Sequence, residues 1–134
     1  MTENKMNQRI SRLRESIAGA EKRRADAEKN VRQLTALHAR CDEYQAEFES
    51  ARSIRKTRLD GFRNISGQLR LTDAYGDAFG DLLEGTRYIN AYRSMDMAKH
   101  EISREIDRQN QVISECNSSI AGYYSSIQIL ETER

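Results

Sequence analysis

Three aspartates, Asp73, Asp77 and Asp81, recur at intervals of four. On a helix that spacing gathers their carboxylates on one face, where a divalent cation could sit. The order is not the Asp-x-Asp-x-Asp-Gly of a calcium loop, and acids in the opening turns of a helix complement its macrodipole. These three read as helix-start residues, and no metal is expected. A basic run precedes them: Arg52, Arg55, Lys56, Arg58, Arg63 and Arg70, with Asp60 its one acid. Arg52, Arg55, Lys56 and Arg63 fall on roughly one helical face, as residues that follow a phosphate backbone would. Phe62 is the one aromatic that could stack on a base there, so the run reads as a solvated face balancing Asp73, Asp77, Asp81 and Glu84. His38 and His100 belong to no His-Glu-x-x-His pattern and have no cysteine beside them, and both read as structural. Cys41 and Cys116 match no zinc or redox spacing and read as reduced core residues. No Gly-rich phosphate loop, Gly-x-Ser-x-Gly or Ser/His/Asp set can be assembled, so the chain reads as non-enzymatic and without a cofactor.

The elements that would carry these residues are helices. The 134 residues include no proline and no tryptophan, and helix formers dominate. Charged residues are 32% of the chain and the mean hydropathy is -0.84. That is too polar for a thick core, while the regular spacing of Ile and Leu argues against disorder. From Ile10 the apolar residues step by three and four. With Ile10 at heptad position a, the a series is Ile10, Ile17, Arg24, Val31, His38 and Gln45, and the d series is Leu13, Ala20, Ala27, Leu34, Cys41 and Phe48. Leu37, Tyr44 and Ala51 widen this seam on its g side. A second stripe runs through Met95, Ile102, Ile106, Gln109, Ile113, Cys116, Ile120, Tyr123, Ile127 and Leu130, and extends upstream through Tyr92 and Tyr88. Five of the seven glycines lie between Gly61 and Gly85, where the chain must reverse.

The expected fold is therefore all-α: one domain, 1–134, forming a long antiparallel two-helix hairpin of coiled-coil type. Helix 1 is placed at about 5–60, a short irregular or helical tip at about 61–80, and helix 2 at about 81–131. Gly61 and Gly67 each lower helix propensity by roughly 1 kcal/mol relative to Ala, so helix 1 is expected to fray or bend after Leu59. A tip between Gly67 and Gly76 leaves the thiols too far apart to bridge, whereas a tip near Ala78 would bring Cys41 level with Glu115, next to Cys116. The net charge of +1 argues against whole-molecule attraction to nucleic acid or to an anionic membrane. The first twenty residues contain no apolar signal region and no membrane span, so the chain is expected to be made and folded in the cytoplasm; any export would proceed without a cleaved signal peptide.

A two-helix hairpin has no third layer to cover widening residues such as Leu37, Tyr44 and Tyr124. Arg24, His38, Gln45 and Gln109, polar residues inside the seams, weaken its own packing and read as devices that fix register or partner choice. A helical partner, either a second copy or another protein, is expected to complete a three- or four-helix bundle.

The coiled segment Ile10 to Leu37, the turn Tyr75-Gly76-Asp77-Ala78-Phe79 and the spaced run Tyr88, Tyr92, Ile102, Ile106 and Ile113 resemble the WXG-type helical-hairpin proteins of bacterial type VII secretion. The likeness is to the YwqH-like group associated with LXG toxins. Tyr75-Gly76 stands where that family has a Trp-x-Gly-type turn, and the tail from Tyr124 lacks the acidic residue of the family's export signal. The resemblance implies an adaptor or targeting chaperone that binds the helical N-terminal domain of an LXG-type toxin and helps deliver it to the secretion apparatus. The missing export signal would suit a partner that relies on another subunit for it. Leu34, Leu37, Tyr44, Ile113 and Tyr124 on the helices, with Tyr75 and Phe79 at the turn, are the expected partner-binding residues. The competing class is a cytosolic coiled-coil scaffold or homo-oligomer with no secretion role.

Overall fold

The computed structural model describes residues 2–66 and 85–133. It is an all-α antiparallel helical hairpin, with no strand among the described residues. Helix α1 spans Glu3–Ser66 and helix α2 spans Thr86–Thr132. Thr2 caps α1: its hydroxyl accepts from the Lys5 amide at 3.4 Å and its carbonyl from the Met6 amide at 3.1 Å, with Glu3 in the first turn where the macrodipole favours an acid. The Gly85 carbonyl accepts the Ile89 amide at 3.2 Å and so opens α2. Near the other end of α2, the Thr132 hydroxyl donates back to the Gln128 carbonyl at 2.7 Å.

One boundary differs from expectation. Helix α1 continues through Gly61 to Ser66 rather than giving way to the tip near residue 61. One glycine lowers propensity by about 1 kcal/mol, which is too little to end a helix already propagating over many turns. The described part of α2 begins at Thr86, and the start expected near residue 81 lies outside the described residues. Asp73, Tyr75, Asp77, Phe79 and Asp81, expected at the tip or the start of helix 2, lie outside the described residues, as do Arg70 and the side chains of Phe62 and Arg63.

The contacts divide the chain into two units, a terminal unit of Met1–Thr35 with Ser103–Arg134 and a tip-side unit of Ala36–Ile102. In the terminal unit Ile10, Ile17, Ile120 and Ile127 form a buried cluster, flanked by Leu13, Ala20, Tyr123 and Leu130. Met6, Ala27 and Cys116 are buried as well. These are the a and d positions of the two stripes, and Met6 extends the α1 seam one step before Ile10. Across the seam Arg24 donates to Asn117 at 2.9 Å, a pair centred between residues 70 and 71. The tip-side unit has the same centring in the pair Gln45 with Asp96, at 2.8 Å. This register sets Cys116 level with Ala25 and Cys41 level with His100, and both thiols are free.

Candidate protein-interaction surface

Seam chemistry changes along α1. The a series begins as Ile10 and Ile17 and ends as His38, Gln45 and Arg52, so at these positions the described part of the tip-side seam carries polar groups in place of aliphatic ones. Gln45 is its one buried residue among those described. Both halves of the Gln45 amide are used: its nitrogen donates to Asp96 at 2.8 Å, and its oxygen accepts from the Lys99 ammonium at 3.0 Å. Lys99 also pairs with Asp42, whose second oxygen lies 3.3 Å from His38 Nδ1. The hydrogen bond from Lys99 holds the Asp42 carboxyl below the ordinary aspartate range, and the same bond raises Lys99 above the ordinary lysine value.

One heptad toward the tip, an aromatic group closes the seam. Phe48 stacks on Tyr88 with ring centroids 5.3 Å apart and planes 6° from parallel. The Arg52 guanidinium carbon lies 4.3 Å from the centroid of the Tyr88 ring, and Arg52 pairs with Glu49 at 3.2 Å. The Tyr88 hydroxyl donates to the other Glu49 oxygen, and this hydrogen bond to a carboxylate raises the tyrosine's pKa. Arg52, first residue of the basic run, is thus engaged in the hairpin's own packing. The other polar seam residues are likewise satisfied. Arg24 reaches Asn117, while Gln109 accepts from Asn30 at 3.2 Å and donates to Glu105 at 2.9 Å. All four polar seam residues noted in the sequence therefore have polar neighbours inside the hairpin.

The interaction residues expected from sequence fall into three groups. Leu37 and Tyr44, seven residues apart on the g side of α1, are 46% and 63% exposed, and Tyr124 on α2 is 55% exposed. Leu34 and Ile113 are half-buried at seam positions, so the hairpin already uses part of their surface. Tyr75 and Phe79 lie outside the described residues. The sequence reading missed other exposed apolar side chains. Ile54, Ile89 and Met97 belong to the tip-side unit, and Ile129 to the terminal unit. None of these four sits on an a or d position, so periodicity offered no signal for them. In the terminal unit, Leu13, Ile129 and Leu130 form the apolar side of an open groove of about 460 Å³, with Arg9, Arg12 and Ser126 on its rim.

Among the described residues no group of three His, Cys, Asp or Glu is arranged to hold a metal ion. No described helix is long and apolar enough to cross a membrane. No family model, no curated protein and no solved structure matches the chain.

Proposed function

We propose that this protein is a non-enzymatic helical adaptor whose exposed flank receives a helix of another protein. The observation that carries the reading is the pair Leu37 and Tyr44. Both are large and apolar, both are about half or more exposed, and they stand one heptad apart on the flank of a seam that is already closed. Two such residues at helical spacing give an incoming helix anchor points of the i, i+7 kind, and the helix α1 that carries them fixes their spacing. The resemblance to YwqH-like hairpins makes the helical N-terminal domain of an LXG-type toxin the specific partner to try, with delivery to a type VII secretion apparatus as the role.

The test is binding of a purified LXG-type targeting domain to the full chain and to a Leu37→Ser/Tyr44→Ser variant. The expected result is a stoichiometric complex whose affinity falls at least tenfold in the variant, while the variant's own melting changes little, because both side chains are already largely in water. Unchanged affinity in the variant would remove the flank from the account. Absence of any complex with the unsubstituted chain would remove the toxin partner.

A further inference from the structure

The two units are closed by different chemistry. The terminal unit buries Ile10, Ile17, Ala27, Cys116, Ile120 and Ile127, all apolar, whereas Gln45 is the buried residue described in the tip-side unit. Around Gln45 the bonds run to Asp96 and Lys99, then to Asp42 and His38. The Asp42 and Lys99 side chains are 51% and 24% exposed, and so retain access to water. When such a seam opens, these polar groups exchange one another for water at little net loss, whereas an aliphatic seam forfeits its burial in full. Phe48, stacked on Tyr88, is an apolar contact that opposes opening there.

We infer that the described part of the tip-side unit, residues 36–66 and 85–102, opens as a cooperative segment while the terminal unit stays closed, and that Gln45 sets how readily it does so. The inference concerns the chain alone and stands apart from any partner. A polar side chain at an a position specifies register while reducing stability. Here it holds α1 and α2 in one alignment through both amide atoms, and it keeps the seam separable. Replacing it with leucine would remove the specification and close the segment more tightly.

Native-state hydrogen exchange on the full chain tests this, comparing it with Gln45→Leu at two protein concentrations. In the unsubstituted chain, amides in residues 40–52 and 89–99 are expected to exchange at least about tenfold faster than those in residues 10–28 and 113–128. In Gln45→Leu, exchange in the first group slows severalfold while the second is unchanged, at both concentrations. A second variant, Phe48→Ala, is expected to speed exchange in the first group alone. Uniform protection along both helices would overturn the inference. It would be overturned equally by faster exchange in Gln45→Leu, or by a slowing seen only at the higher concentration, which would report association instead of closure.

Discussion

At the scale of single residues, the Lys99 and Asp42 pair has a definite pH signature. Asp42 titrates below its ordinary value chiefly because it accepts the Lys99 hydrogen bond. Its contribution to stability is therefore present above the unfolded aspartate value of about 3.9, and is lost as pH falls through the lowered native value. Lys99 is raised by the same bond, so its contribution holds below the unfolded lysine value of about 10.4 and is lost as pH rises through the raised native value. The pair should thus support the hairpin throughout the neutral range. An NMR titration is expected to find the Asp42 carboxyl below the ordinary aspartate range, and Lys99→Met should return it upward; an unmoved Asp42 would show that Lys99 does not hold it. A second expectation concerns Gly19 and Gly122, which sit inside helices with nothing within 4 Å of an added Cβ. Each change to alanine should raise stability by about 0.5–1 kcal/mol, because the helix gains propensity and no neighbour must move. Thermal or urea unfolding measures it directly.

At the scale of elements, the seam was legible because burial alone imposes its period. Ile10, Ile17, Ile120 and Ile127 were all placed on the stripes by spacing, and all four are buried. Where α1 ends was not legible. Propensity at Gly61 is a local quantity, while helix continuation depends on the turns already formed. Nor could sequence say which polar partner each seam residue finds. Gln45 meets Asp96, and Glu49 meets Tyr88, only once the register across the hairpin is known. Given that register, the Gln45 pairing follows from residue numbers, whereas Glu49 bonds to Tyr88, one helical turn from Tyr92, the residue level with it. Exposed positions such as Ile54 and Ile129 stayed silent for the opposite reason, since they lie outside both stripes. The contrast supplies a prediction at this scale. Ile17→Ala, at a buried seam position, should cost about 2–4 kcal/mol, whereas Ile54→Ala, half exposed and off the seam, should stay within about 0.5 kcal/mol. Urea unfolding of the two variants measures the difference, and equal losses would mean that the α1 seam is not where the stabilisation lies.

For the molecule as a whole, the seams are occupied by each other while Leu37, Tyr44, Ile54, Ile89 and Met97 in one unit, and Tyr124 and Ile129 in the other, remain in contact with water. Single exposed apolar residues are ordinary on any protein surface. Among the described residues they accompany a small buried cluster, four isoleucines and their neighbours in the terminal unit. A thin core of this kind supplies little stability by itself, so covering part of the exposed surface with another helix is worth more to this protein than to one with a thick interior. The claim that the hairpin is built to be completed by a further helix is tested most directly by light scattering joined to thermal melting over a range of concentrations of the isolated chain. The account predicts that without its partner the chain either self-associates at micromolar concentration, with a melting temperature that rises with concentration, or melts broadly at low temperature. A folded monomer at the same concentration, with a sharp cooperative melt that does not move with concentration, would show that the hairpin satisfies itself and would contradict the claim.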